Sequence, residues 1–65
     1  MNRWIYYRDK KRGVSKWVMG IRHWVTKFDK EPACVIGLNG ARIEPATPIQ
    51  YPADARKWVE DQLCA

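Results

Sequence analysis

The chain has 65 residues and a net charge of +5, from 12 lysine and arginine residues against 7 aspartate and glutamate residues. This length allows one small domain, which needs large core side chains or staples for stability. The aromatic residues, four of them tryptophan, meet that need. No apolar run reaches the length of a membrane-spanning helix, and the N-terminal residues lack a signal-peptide pattern. We therefore expect a cytoplasmic protein with no membrane partner.

The positive charge is concentrated in the first half of the chain. Residues 1–30 carry nine lysine and arginine residues against two aspartates, a net charge of +7, whereas residues 31–65 have a net charge of −2. Such asymmetry is typical of a protein with one surface that attracts a polyanion. An alternative explanation of the same charge excess is that these basic residues only keep the strands soluble.

Alternating apolar and polar residues predict strands at 3–8 and 14–28. The second is unusually long, so we expect a bend or bulge near Gly20. One face of this strand is apolar enough for the core and carries Trp17, Met19, Ile21, His23 and Val25. The other face mixes basic, small and aromatic residues, namely Lys16, Val18, Gly20, Arg22 and Trp24.

Asn39-Gly40 predicts a tight hairpin between strands at 33–38 and 41–44, because both residues tolerate the positive φ of a type I′ turn. In this register Leu38 faces Ala41, Gly37 faces Arg42 and Ile36 faces Ile43. Cys34, Ile36, Leu38, Ala41 and Ile43 then share one apolar face.

A helix is predicted at 52–63, starting at Pro52 after a proline-rich connection. Ala55, Trp58, Val59 and Leu63 form its apolar stripe, and Arg56, Lys57, Glu60 and Asp61 are expected on its outer side. The predicted fold is α+β: a four-stranded antiparallel sheet with one C-terminal helix packed on one face. One helix cannot cover both faces, so the other should be partly open.

Catalytic and metal-binding patterns are absent from the sequence. One histidine and two distant cysteines do not form a zinc motif, and no phosphate-binding or nucleophile motif occurs. His23 is most simply a core or rim residue, and Cys34 and Cys64 are interpreted as free thiols rather than a disulfide. We therefore expect a protein without enzymatic activity, metal or cofactor.

Two features favour a nucleic-acid partner, either DNA or RNA. A projecting basic hairpin loop, Lys10-Lys11-Arg12 with Arg8 beside it, is suited to phosphate contacts. The open face is suited to stacking and backbone contacts with a nucleic acid through Lys16, Arg22, Trp24 and Arg42. Each feature also has a purely structural interpretation. The basic loop would then be an ordinary solvated turn, and the Trp24 indole would fold over an edge of the sheet beside exposed strand lysine and arginine residues.

Lys16-Trp17 in a central strand and a helix beginning near Pro52 resemble the topology of the arm-type DNA-binding domains of phage integrases. The Gly-Phe-x-Thr entry to that family's helix is replaced here by Ile49-Gln50-Tyr51-Pro52, and the chain is not assigned to the family. A competing hypothesis is a small phage-type inhibitor, anti-CRISPR-like, that blocks a host protein complex, because exposed Trp, Tyr and Arg dominate protein–protein hot spots. Homodimerisation through a free sheet edge or face is compatible with either function.

Overall fold

The computed structural model describes residues 3–64, which form five antiparallel strands and one C-terminal helix. The elements are β1 (Ile5–Asp9), β2 (Val14–Met19), β3 (His23–Phe28), β4 (Cys34–Leu38), β5 (Ala41–Ile43) and α1 (Pro52–Cys64). Each strand pairs with the next, so the order in the sheet is β1-β2-β3-β4-β5. The predicted α+β class, with an antiparallel sheet and one C-terminal helix, is confirmed. The predicted number of four strands is wrong.

The fifth strand arises because the predicted strand 14–28 is a hairpin. The chain reverses at residues 20–22, where Gly20 has a φ of 65°, and β2 then pairs with β3. A single 15-residue strand would extend about 50 Å, well beyond the 34 Å long axis of the molecule. The three-residue loop pairs Met19 with His23, so both halves keep the predicted alternation of faces. Ile21, predicted for the core face, is instead 92% exposed at the hairpin tip.

The β4–β5 hairpin has the predicted turn and register. Asn39 and Gly40 have φ values of 52° and 80°, and Leu38 pairs with Ala41. The Gly40 N–H donates to the Arg22 carbonyl at 2.8 Å, and the Asn39 N–H donates to Nδ1 of His23 at 3.2 Å. These two bonds attach the β4–β5 turn to the β2–β3 hairpin tip, and they give His23 a structural role there.

The core lies between α1 and the middle of the sheet. Its buried side chains are Met19, Val25, Cys34, Ile36, Ala55 and Val59. Trp58 packs against this core as predicted, whereas Leu63 is more than a third exposed near the helix end. The helix contacts β3 and β4, and every residue of β1 is exposed.

Arg56 does not lie on the outer side of the helix, contrary to the prediction. Its guanidinium Cζ is 5.6 Å from the centroid of the Trp17 ring, and Trp17 is in turn 5.2 Å from the Tyr6 ring. A cation over an indole face is attracted by the ring quadrupole, which explains the inward orientation. On the same side, Trp4 Nε1 donates to Glu60 at 2.7 Å. These contacts connect β1 and the segment before it to the helix side of the sheet.

Candidate nucleic-acid interface

The face of the sheet opposite α1, called the open face here, is formed by the alternate residues that point away from the core. Lys16 lies across from Thr26, and Val18 from Trp24, on the paired strands β2 and β3. Trp24 in turn pairs with Gly37, which pairs with Arg42. The open face therefore brings together side chains from β2, β3, β4 and β5, and the predicted residues Lys16, Trp24 and Arg42 lie on it.

Trp24 lies flat on the open face because Gly37 has no side chain. A Cβ at position 37 would stand 1.8 Å from Cε2, 2.1 Å from Cδ2 and 2.2 Å from Cζ2 of the Trp24 indole. These three carbons belong to the six-membered ring and lie at similar distances from the added Cβ. Residue 37 is therefore under the face of the ring and not at its edge. One face of the indole thus covers Gly37, and the opposite face is directed away from the sheet.

A shallow groove of about 300 Å³ lies beside the indole on the open face. It is lined by Lys16, Trp24, Thr26, Phe28, Val35 and Arg42. Two of these side chains are cationic and two are aromatic, and none is acidic. An aromatic face between cations is the arrangement that holds nucleic-acid bases and phosphates on sheet surfaces.

The Lys10-Lys11-Arg12 segment forms an exposed turn at the end of the β1–β2 hairpin. The Asp9 carboxylate shapes it by accepting hydrogen bonds from the backbone N–H groups of Lys11 at 3.1 Å and Arg12 at 3.2 Å. Asp and Asn commonly fix turns in this way. The three basic side chains are left facing solvent beside a second depression, of about 420 Å³.

Arg8 and Asp29 fasten the basic turn to the end of β3. The Arg8 guanidinium donates to both carboxylate oxygens of Asp29, at 2.7 and 2.6 Å, and to Ser15 at 2.9 Å. The Asp29 backbone N–H also donates to the Gly13 carbonyl at 2.9 Å. The hydrogen bond that Arg8 donates lowers the pKa of the Asp29 carboxyl group, and the same bond raises the pKa of the Arg8 guanidinium.

The structure places the eight predicted site residues in four locations. Lys16, Trp24 and Arg42 share the open-face groove, and Lys10, Lys11 and Arg12 share the basic turn. Arg22 lies in the β2–β3 loop, at the end of the sheet opposite the basic turn. Arg8 lies on the helix side of β1, because it pairs with Ser15, and it is bonded to Asp29. The structure thus brings six of the eight into two neighbouring sites.

Phe28 belongs to the candidate interface but was not predicted. It lines both the open-face groove and the depression beside the basic turn. The available signal was its position, since Phe28 is two and four residues beyond Thr26 and Trp24 and therefore shares their face. The predicted strand 14–28 includes this position.

Other kinds of site receive no support within residues 3–64. No group of three His, Cys, Asp or Glu residues there could hold a metal ion, and no helix in that range is long and apolar enough to span a membrane. Cys34 and Cys64 are free thiols, as predicted, the first buried and the second exposed. Burial raises the pKa of the Cys34 thiol, against the opposing charge of Lys27, and the side chain is part of the hydrophobic core.

Comparisons of the chain with protein-family models, curated proteins and solved structures found no match. Function must therefore be inferred from the residues of the open face and the basic turn.

Replacing Gly37 with alanine should displace the Trp24 indole, because the new methyl group would stand within 2.2 Å of three ring carbons. We expect a loss of about 1–3 kcal/mol in the free energy of unfolding, as for other overpacked sites. Urea denaturation followed by circular dichroism measures it. In a Trp24→Ala background the same substitution should cost much less, since the clash is gone. An equal cost in both backgrounds would contradict the proposed seating of the indole.

Replacing Asp29 with asparagine should make stability less sensitive to acid. The pKa of Asp29 is lowered in the folded state, so its contribution is present above the unfolded pKa and is lost as pH falls through the folded pKa. The wild type should be more stable than Asp29→Asn at pH 7, and the difference should vanish in strong acid. Thermal midpoints measured across this pH range test it. Asp61→Asn is the control, because the Asp61 side chain forms no hydrogen bond or ion pair with any residue in 3–64. The stability difference between this variant and the wild type should not vary with pH in the same way.

Proposed function

We propose that this protein binds nucleic acid without catalysing a reaction on it. The observation that carries the proposal is the open-face groove, where the free face of the Trp24 indole lies between Lys16 and Arg42 with no acidic side chain in the lining. Stacking on such a ring is worth about 1–3 kcal/mol per base, and nearby cations gain affinity by releasing counterions from phosphates.

The basic turn supports the same proposal from a second location. Lys10, Lys11 and Arg12 are all exposed, and the depression beside them is also lined by Lys30, Asp29 and Glu31. Asp9 accepts backbone hydrogen bonds within the turn, and Asp29 is paired with Arg8. Within residues 3–64, the one ion pair that these three cations form is a 3.8 Å contact between Arg12 and Asp9. Phosphate contacts by such a turn would add affinity that is independent of base sequence.

The proposal predicts that Lys16→Ala/Arg42→Ala weakens binding and reduces its salt dependence. Fluorescence anisotropy of labelled oligonucleotides at about 50 and 200 mM salt measures both quantities. Losing two phosphate contacts to a single strand should reduce the slope of log K against log salt by about 1.4, at about 0.7 per contact. Trp24→Ala should lower affinity with little effect on that slope, because stacking releases no counterions.

The matched control is Arg3→Ala/Lys57→Ala, which removes the same charge from exposed positions outside the groove and the turn. It should change the affinity much less than the groove variant. If both double variants reduce the slope equally, binding depends on net charge rather than on the groove. If the wild type binds no oligonucleotide even at low salt, the proposal is wrong.

A second candidate function is that of a small inhibitor that binds a host protein complex. The observation that favours it is β1, an edge strand that pairs only with β2 and exposes Ile5, Tyr6 and Tyr7 by 51%, 55% and 55%. An exposed edge with aromatic side chains can add a strand from a partner protein. In that case Tyr6→Ser should weaken capture of the partner while leaving oligonucleotide binding unchanged, because Tyr6 pairs with Trp17 on the helix side of the sheet and the change is neutral in charge.

A further inference from the structure

Phe28 connects the two parts of the candidate interface. It is the last residue of β3, is 37% exposed, and lines both the groove of about 300 Å³ and the depression of about 420 Å³ beside the basic turn. The charged lining residues of the first are two cations, Lys16 and Arg42. Those of the second are four cations and two carboxylates, namely Lys10, Lys11, Arg12, Lys30, Asp29 and Glu31. A ligand that occupied both depressions would therefore contact Phe28 from either side.

A third depression, of about 480 Å³, also includes Phe28 but differs in charge. Its lining contains the carboxylates of Glu31 and Glu44 with Arg42 as its one cation. Phosphate groups would be repelled there more than in the other two. The electrostatically favourable route therefore leads from the open-face groove past Phe28 to the basic turn.

The distance between the two aromatic residues distinguishes a single strand from a duplex. Trp24 and Phe28 are four residues apart on one strand, about 13 Å at a rise of 3.3 Å per residue. Paired bases in a duplex are stacked about 3.4 Å apart along each strand, so their faces are covered by neighbouring bases. Only a strand whose bases are unpaired and spread apart can offer one base face to each ring.

We infer that the ligand is single-stranded nucleic acid, which follows one continuous path from the groove at Trp24, past Phe28, to the basic turn. This inference rests on the proposed function, and it adds the form of the nucleic acid and a second stacking residue. Bases would stack on Trp24 and Phe28, while the backbone phosphates contact Lys16 and Arg42 at one end and Lys10–Arg12 at the other.

The test compares labelled oligothymidylates of about 4 to 16 nucleotides, the range of single-strand site sizes, with a blunt duplex of the longest length. Single strands should bind at least tenfold more tightly than the duplex, and affinity should rise with length until the path is filled. Phe28→Leu should lower single-strand affinity by roughly 5- to 150-fold, which corresponds to the stacking contribution of one base, and should leave duplex binding unchanged.

Two further variants separate stacking from folding. Phe28→Trp retains an aromatic ring and should keep single-strand affinity near the wild-type value. Tyr51→Leu removes an aromatic ring that is 69% exposed and outside the path, and it should have no effect. Equal affinity for duplex and single strand, or wild-type binding by Phe28→Leu, overturns the inference and leaves the proposed function standing. Absence of binding to either form overturns both.

Discussion

The packing of α1 on the two strands β3 and β4 determines how the rest of the molecule is arranged. Ala55 and Val59 are completely buried against Val25 and Ile36, and they fill the space on one side of the sheet. One helix of 13 residues cannot also cover the opposite side. The apolar and cationic residues of that side therefore stay accessible, and β1 lies beyond the reach of the helix.

The largest side chain of the open face, that of Trp24, depends on the glycine at position 37. Any residue other than glycine at position 37 would place a carbon where the indole of Trp24 now lies. The same glycine sits opposite Arg42 in the hairpin register, so the turn at Asn39-Gly40 also fixes the cation that flanks the indole. The register set by the Asn39-Gly40 turn therefore determines which residues surround the indole on the adjacent strands β3, β4 and β5.

Much of this arrangement could be predicted from local signals. The Asn39-Gly40 turn, its register and the helix starting at Pro52 each follow from residue types at fixed positions. The alternation of side chains correctly assigned Lys16 and Trp24 to one face. The three-residue loop pairs Met19 with His23, so even-numbered residues of β2 and β3 lie on the same face. The reversal at Gly20 was missed because a bend and a hairpin have the same local glycine signal. The positions of Arg8 and Arg56 could not be predicted, since Asp29 and Trp17 are distant in sequence and meet them only in the fold.

Nuclear magnetic resonance of the isotopically labelled protein, titrated with a short oligothymidylate, tests the central claim most directly. Each of the four tryptophans carries one indole N–H group, which reports on its own part of the fold. If nucleic acid binds the open face, the Trp24 signal should shift together with the backbone amides of Gly37 and Phe28. The signal of Trp58, which belongs to the helix on the opposite face, should stay in place. Shifts confined to Trp58 and the helix, with Trp24 unchanged, would contradict the assignment of the open face as the binding surface.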